Sequence, residues 1–267
     1  MLDKERMKPF PGIFVVGFVL SAAFSTDKAA GGETSSKYEQ PKLLAGTVYK
    51  ANSDRKHVLY KFKRTVTRSG PTLNVVREFT YPDGKVAARE RAVYEGDNLV
   101  SCELEELQIN ARGTAKVLRD PKSEAKGNIS FEHVTDRNSP GKTKANTESL
   151  RPDTLVNDMI APFLVAHWDD LMKGEVVKSR YLALTRAETV GFKFARQAES
   201  TWQGKPVVII KMSATSLIIA ALVDPVFFTM EKGGEHRVLQ YDGRTTPKIK
   251  DGNKWKDLDA VTVFDWD

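Results

Sequence analysis

Apolar and polar residues alternate with a period of two through most of the chain after residue 43, and glycine-bearing turns interrupt the alternation. Val58, Tyr60 and Phe62 fall on one side of a predicted strand, whereas Lys61 and Lys63 fall on the other side. Successive side chains of a strand point to opposite faces of a sheet, so this pattern predicts strands with one buried face. The chain is therefore expected to consist mainly of β-strands.

Turn signals divide this part of the chain into about a dozen short strands. Pro82-Asp83-Gly84 separates Leu73–Tyr81 from Lys85–Tyr94, and Asp-Gly between two such segments indicates a hairpin. A second turn at 94–98 leads into Leu99–Leu107 and predicts a three-stranded meander. The other predicted strands are Gly127–Val134, Val176–Leu184, Glu188–Gln197, Pro206–Met212, Pro225–Glu231, His236–Tyr241 and Ala260–Trp266. Turns are predicted at Gly204, Gly233-Gly234, Asp242-Gly243 and Asp251-Gly252.

One main helix is predicted between Asp153 and Lys173, where the apolar period changes to that of a helix. The apolar stripe consists of Leu155, Met159, Ile160, Phe163, Leu164, Trp168, Leu171 and Met172. Pro162 lies inside the segment and predicts a kink or two shorter helices. Ser213–Val223 suits either a short second helix or a strand, because it contains several β-branched residues.

These patterns predict an α+β, mainly β fold, in which one large curved antiparallel sheet carries the main helix on its concave face. A sheet of that many strands has to curl or close, because neighbouring strands are twisted relative to one another. Both a half-barrel and a closed barrel fit the alternation.

Residues 1–25 have the pattern of a secretory signal peptide. Basic residues precede an apolar segment at Gly12–Phe24, which is shorter than the roughly 20 residues that span a bilayer. Small residues at Ser21, Ala23 and Ser25 suit cleavage. Residues 26–42 are rich in Gly, Ser and charge and are predicted to form a flexible tether before a single domain at 43–267. The expected location is secreted or periplasmic, with no transmembrane span in the mature chain.

Composition narrows the classes of function. At 28% charged and 40% hydrophobic residues, neither a bulk membrane protein nor a disordered chain fits. One cysteine excludes a disulfide framework and the usual Cys-based metal sites. The four histidines lack metal-ligand spacing, so no metal or other cofactor is expected. The net charge of +6 is spread among acidic residues, and nucleic-acid binding is not expected.

Two polar features suit catalysis, but each has a structural interpretation that is favoured. His167-Trp168-Asp169-Asp170 places an imidazole beside two carboxylates, as general acid–base chemistry requires. The favoured alternative buries Trp168 and leaves the charged residues on a solvated helix face. Cys102 is expected to be a small packed hydrophobe, because a nucleophilic cysteine needs a lowered thiol pKa.

Aromatic residues are concentrated in the second half of the chain, where they either line a ligand cavity or fill a core. The candidate ligand-binding residues are Phe163, Trp168, Phe192, Phe194 and Phe227. A basic rim for anionic head groups is predicted at Arg180, Arg186, Lys193 and Arg196.

The order of these segments over about residues 45–266 resembles uncharacterised bacterial secreted proteins and, in general architecture, the half-barrel of periplasmic lipoprotein carriers. The export signal, the meander around Tyr81–Arg91, the central helix and the closing strands carry this resemblance. Glu188–Phe194 and Arg244–Lys248 have the character of family signatures without a known role. The resemblance implies a concave apolar surface able to hold acyl chains, and no catalytic or binding residue carries over from it.

The leading hypothesis is a non-catalytic exported envelope protein that binds a lipid or acyl chain inside the curved sheet. The alternative is a structural or protein-interaction module of the envelope, with a solid core and an exposed apolar patch or sheet edge for a protein partner. A third hypothesis is a hydrolase in which His167, Asp169 and Asp170 converge in a cleft.

Overall fold

The computed structural model describes residues 36–139, 141, 143–221 and 223–266. The predicted signal peptide and the tether as far as residue 35 lie outside the described residues. Within the described ranges, no helix is both long enough and apolar enough to cross a membrane.

A single sheet of fifteen strands dominates the described part of the chain. The strands are β1 (Leu43–Lys50), β2 (Val58–Ser69), β3 (Thr72–Thr80), β4 (Val86–Glu95), β5 (Asn98–Glu106), β6 (Ala111–Asp120), β7 (Ser123–Val134), β8 (Thr143–Ser149), β9 (Thr154–Leu155), β10 (Val177–Ala183), β11 (Glu188–Trp202), β12 (Lys205–Ala214), β13 (Val226–Glu231), β14 (Val238–Asp251) and β15 (Lys254–Asp265). The short β9 pairs in parallel with β10, whereas the other described neighbours are antiparallel. The prediction of a large, curved, mainly antiparallel sheet is confirmed.

The sheet consists of two meanders that are joined where the first and last strands of the chain meet. Its order is β8-β7-β6-β5-β4-β3-β2-β1-β15-β14-β13-β12-β11-β10-β9. Val48 of β1 pairs with Thr262 of β15, and Tyr60 of β2 pairs with Val48 on its other side. The inward faces of both meanders therefore belong to one continuous concave surface.

The two ends of the sheet approach each other through side chains. Asn146 on β8 donates a hydrogen bond to the Ala187 carbonyl at 3.0 Å. The Thr189 backbone N–H donates to the carboxylate of Glu148 at 3.1 Å, and the Thr189 hydroxyl donates to the same carboxylate. The sheet thus curves round until β8 contacts the beginning of β11.

The helical segment between β9 and β10 differs from its prediction in two ways. It consists of a 3₁₀ turn at Asn157–Met159, α1 at Ile160–Ala166 and α2 at Trp168–Met172. It does not begin at Asp153, because β9 pairs with β10 there. The break lies at His167 and not at Pro162, since Pro162 occupies the first turn of α1, where a missing N–H removes no intrahelical hydrogen bond.

One turn prediction needs correction, and one open alternative is resolved. Asp242-Gly243 does not form a turn but lies within β14, and Gly243 has a φ of 147°. A Cβ at Gly243 would lie 2.8 Å from Val226 Cγ2, so glycine is required for close approach of β13 and β14. Ser213–Val223 contains both predicted alternatives, since β12 extends to Ala214 and α3 follows at Leu217–Ala220.

The folded region begins before residue 43, so the predicted tether extends too far. Tyr38 is buried and stacks on Tyr94 with the ring centroids 4.5 Å apart. The hydroxyl of Ser36 donates to Asp97, and Arg68 forms an ion pair with Glu39. An aromatic side chain in this polar segment therefore anchors it to the domain.

The buried apolar side chains form three clusters on the concave side. One cluster joins β3–β7 to β9 and β10 and includes Leu73, Tyr94 and Ile129. A second cluster packs α1 and α2 against β11–β14 through Leu164 and Phe194. The third joins β1–β4 to β15. The space left between these clusters contains the candidate site.

Candidate functional site

An interior cavity of about 610 Å³ lies between the two meanders. Its apolar lining includes Val75, Ala92, Cys102, Leu104, Val156, Ile160, Leu182, Leu184, Val190, Phe192, Met212, Ile219, Val223, Val226 and Phe228. These residues come from β3–β5, from the start of the helical segment, from β10–β13 with the turn after β10, and from the segment around α3. A smaller cavity of about 130 Å³ lies beside it, near Phe62 and Trp266.

A hydrogen-bonded group centred on Glu90 stands between the two cavities. The Glu90 carboxylate accepts hydrogen bonds from Arg77 at 2.5 Å, from Asn157 at 2.9 Å and from the Thr246 hydroxyl. The Tyr181 hydroxyl donates to Asn157 Oδ1 at 2.8 Å. β3, β4, the 3₁₀ turn, β10 and β14 are thereby connected through one buried carboxylate.

A second buried polar group anchors the start of the helical segment. Arg64 Nε donates to Asp158 Oδ1 at 2.6 Å, and their side chains are only 7% and 4% exposed. The Tyr94 hydroxyl donates to the other Asp158 oxygen at 3.2 Å, while the Tyr38 carbonyl accepts from Arg64. Burial raises the pKa of Tyr94 well above its ordinary value, so this phenol stays protonated and acts as a donor.

The segment Arg244–Lys248 crosses the interior. A bulge between Thr245 and Lys248 interrupts the pairing of β14 with β15. The Lys248 N–H donates to Gln108 Oε1 at 2.6 Å, and Gln108 Nε2 donates to the Lys248 carbonyl at 2.9 Å. Lys248 Nζ also lies 3.0 Å from Glu106 of β5. The segment Arg244–Lys248, whose role could not be predicted from its sequence, thus connects β14 to the opposite wall of the sheet.

The charged residues that line the larger cavity are balanced and paired. The basic ones are Arg77, Arg91, Arg186, Arg244 and Lys248, and the acidic ones are Glu90, Glu103, Glu106, Asp158 and Asp257. Each of them has an ion-pair partner, so no uncompensated charge of either sign lines this part of the described structure. The interior is therefore suited to an apolar or amphipathic molecule more than to a highly charged one.

His133 also lines the larger cavity, and it differs from the charged lining residues in having no hydrogen-bond partner among the described residues at either ring nitrogen. It is 6% exposed. Burial lowers its pKa, the Glu106 charge raises it, and the Lys144 and Lys248 charges lower it further. The imidazole is therefore held neutral at the polar end of the cavity.

Cys102 also lines the cavity, and its environment makes it unreactive. Burial and the nearby Glu90 charge raise the pKa of the Cys102 thiol to about 12. A thiol with that pKa carries almost no thiolate at neutral pH. Cys102 packs with Ala92 and Ala115 in a buried cluster, as the sequence predicts.

The five predicted ligand-binding residues occupy different places. Phe192 lines the large cavity. Phe163 and Phe194 pack against each other beside it, with ring centroids 5.4 Å apart. Trp168 is buried and stacks on His236 at 3.9 Å. Phe227 alternates with the lining residue Phe228, so its side chain lies on the opposite face of β13.

The predicted basic rim does not form one group at the cavity. Arg186 lines the cavity, whereas Lys193 and Arg196 are exposed elsewhere on β11. Arg180 donates to the hydroxyl and the carbonyl of Thr189. The cationic lining residues come instead from positions on β3, β4 and β14 that face inward.

The predicted acid–base group lies on the surface of the helical segment. His167 Nδ1 is 3.4 Å from Asp170 Oδ2, and both side chains are about two-fifths exposed. Asp169 is exposed, and none of these three residues lines the two described cavities. Within the described ranges, no group of three or more His, Cys, Asp or Glu side chains is arranged to hold a metal ion.

The inward-facing charges were missed by sequence reasoning, although a signal for them exists. Arg77 alternates with Val75 and Phe79, so it occupies the buried side of β3. Glu90 likewise lies two residues from the buried Ala92, so it occupies the buried side of β4. A charged residue at an otherwise apolar position of a strand identifies a buried polar group.

Comparison with known proteins finds similarity to solved structures but not to named families. No family model matches the sequence, and no curated protein matches it. A solved beta-barrel-like protein of the domain of unknown function DUF1849 from Brucella abortus is similar with a TM-score of 0.38 and 10% sequence identity. The match covers 83% of this chain and 94% of that chain. At this level of similarity, function has to be inferred from this chain's own residues.

Proposed function

We propose that this protein binds the acyl chain of a lipid or another amphipathic molecule in its interior cavity and catalyses no reaction on it. The observation that carries the proposal is a cavity of about 610 Å³ with an apolar lining that is continuous from β3–β5 to β10–β13. Its volume lies within the range of small-molecule sites, which is roughly 300–1,000 Å³. The resemblance to lipoprotein carriers suggests the same class of ligand.

The distribution of polar groups favours an amphipathic ligand. The apolar side chains of Met212, Val226 and Phe228 line one part of the cavity, and His133 and Lys248 line another. Removal of an acyl chain from water would supply binding energy at about 25 cal/mol per Å². The polar part of the ligand would remain near hydrogen-bonding side chains or near the exposed lining residue Arg186.

The low reactivity of the lining residues favours binding over catalysis. The Cys102 thiol is protonated, and the lining carboxylates are engaged in ion pairs or hydrogen bonds. His133 has neither a nucleophile nor a carboxylate hydrogen-bonded to its ring. Nucleophilic catalysis needs a base within hydrogen-bond reach of the nucleophile, and the described cavity residues provide no such pair.

The first test is native mass spectrometry of the chain purified without detergent, followed by extraction into organic solvent. An adduct that is released as a lipid supports the proposal and identifies the ligand. A mass equal to that of the chain alone, together with no binding of the fluorescent fatty acid cis-parinaric acid, would overturn it and favour a structural or interaction module.

A pair of variants locates the binding event. Ala92→Phe adds a ring to the cavity wall, whereas Ala145→Phe adds the same ring to an exposed position on β8. The first change should weaken cis-parinaric acid binding by about tenfold or more, and the second should leave it unchanged. Equal affinity in both variants would show that the probe binds elsewhere. Thermal unfolding of both variants checks that overpacking at Ala92 has not unfolded the chain.

We also propose that the protein is exported to the bacterial envelope, on the basis of the signal-peptide pattern at 1–25. Cell fractionation with mass analysis of the amino terminus tests this. A chain that begins between about residues 22 and 26 in the periplasmic or secreted fraction supports export. An intact amino terminus in the cytoplasm contradicts it.

A further inference from the structure

A short apolar segment at α3 is exposed on the surface and also contributes to the cavity wall. Leu217 is 88% exposed and Ile218 is 77% exposed. Ile219 and Val223, from the same segment, line the large cavity. No charged residue occurs from Ser213 to Val223. Two adjacent large aliphatic side chains exposed to this degree mark a contact surface more than a solvated turn.

Three lysines flank this segment on the outer face of the sheet. Lys193 of β11 pairs with Ser213, near the end of β12 and before α3, and also with Lys178 of β10. Lys211 lies two residues before Ser213 and therefore on the same face. None of the three lysines has an ion-pair partner among the described residues. Like charges directly opposite each other destabilise a sheet, so Lys178 and Lys193 would be stabilised by an external anionic surface.

We propose that the α3 segment and these three lysines form a docking surface for an anionic lipid bilayer. Leu217 and Ile218 would insert among the lipid head groups, and the lysines would contact the anionic ones. The docking proposal goes beyond the proposed function. It rests on that function in one respect, which is that docking would bring the cavity next to its ligand.

Charge and geometry favour a bilayer over a protein partner. The exposed apolar group is a single short turn, too small for the area that a stable protein interface buries. Phe227, opposite Lys211 across the β12–β13 pair, adds an aromatic side chain to the same outer face. Aromatic and aliphatic side chains beside lysines are typical of surfaces that lie on a membrane. The charge of Asp224, which follows the segment, helps to raise the pKa of Arg244.

The test is flotation of the purified chain with vesicles of phosphatidylcholine alone and of phosphatidylcholine mixed with phosphatidylglycerol. The native chain should bind the mixed vesicles and bind the neutral vesicles much less. The double variant Leu217→Asp/Ile218→Asp should reduce binding by more than about tenfold. Leu43→Asp/Leu118→Asp is the matched control, because these leucines are 61% and 65% exposed on β1 and β6, outside the docking surface, and the variant changes the charge equally. Its binding should equal that of the native chain.

A second pair of variants separates local from general electrostatic attraction. Lys178→Gln/Lys193→Gln should weaken vesicle binding by about fivefold for each lysine removed. Lys205→Gln/Lys254→Gln changes the net charge equally at two exposed positions elsewhere and should have little effect. Equal losses in both double variants would overturn the proposal, because they would indicate attraction by the net charge alone.

Several results reject docking and leave the cavity proposal standing. One is a lipid adduct in mass spectrometry without any binding to vesicles. Another is concentration-dependent dimerisation that Leu217→Asp/Ile218→Asp abolishes, because it would make a second copy of the chain the partner. Vesicle binding without a lipid adduct or probe binding would instead support docking and reject the proposed function.

Discussion

The interior has two regions, which differ in how completely their side chains are buried and hydrogen-bonded. In the filled region, α1 and α2 bury Leu164, Trp168 and Leu171 against β11–β14. The buried Arg64–Asp158 pair joins the start of the helical segment to β2 and borders both cavities. In the open region, which comprises the cavity and α3, His133 has no hydrogen-bond partner among the described residues, and the two aliphatic side chains that begin α3 are exposed.

The two regions also differ in what their side chains contribute to stability. A protein gains stability by filling space with apolar side chains, as the filled region does. A cavity, an imidazole without a partner among the described residues and exposed aliphatic residues all cost stability. Their concentration in one region supports the proposal that this region binds a ligand, and substitutions in the two regions should therefore have different consequences.

The largest expected effect is at the buried Arg64–Asp158 ion pair, which anchors the helical segment. Asp158→Asn leaves the buried Arg64 guanidinium without its counter-charge and should lower the free energy of unfolding by about 3–5 kcal/mol. Urea denaturation followed by circular dichroism measures the change. Asp170→Asn, at an exposed pair with His167, should cost about 1 kcal/mol at most. Similar losses at both positions would contradict the importance of burial.

A smaller effect is expected from removal of a buried aliphatic side chain, and it tests the comparison directly. Leu164 is fully buried, and Leu164→Ala should cost about 2–5 kcal/mol because it leaves a cavity. Leu217→Ala removes the same group from an exposed position and should change stability by about 0.5 kcal/mol or less. Equal losses in urea denaturation would show that α3 is also part of the core.

The smallest expected effect is a pH dependence that belongs to the open region. Because the pKa of His133 is lowered in the folded state, the unfolded chain binds a proton more readily below the ordinary imidazole pKa of about 6.5. The free energy of unfolding should therefore fall as the pH decreases from about 7 to about 5. His133→Gln should flatten this dependence, whereas the exposed control His57→Gln should retain it. An unchanged slope in His133→Gln would show that other groups are responsible.

Local features were the ones that could be predicted from the sequence. The Pro82-Asp83-Gly84 hairpin follows from the preference of Gly84 for positive φ, which is 90° in the structure. The helical segment was recognised from its apolar period, although its first turn and its break were misplaced. Pairing of β9 with β10 decided where the segment begins, and that contact depends on residues distant in sequence.

The candidate site was predicted only in part, for the same reason. Phe192 lines the cavity, and its role in ligand binding stays a prediction. Phe227 was chosen because it is aromatic, and its place in the alternation of β13 was not considered. The interior charges were missed because each becomes significant only beside its partner. Gln108 and Lys248, for example, are 140 residues apart in sequence and form two hydrogen bonds across the interior.

The sequence by itself determined that this chain forms a large, mainly antiparallel sheet with a helical segment on one face. Periodicity and turn preference depend on residues close together in the chain, so both can be read without the fold. Only the tertiary structure decided which part of the interior is filled, which part remains open and which charges are paired. Those properties depend on the distance between walls that the curvature of the whole sheet brings together.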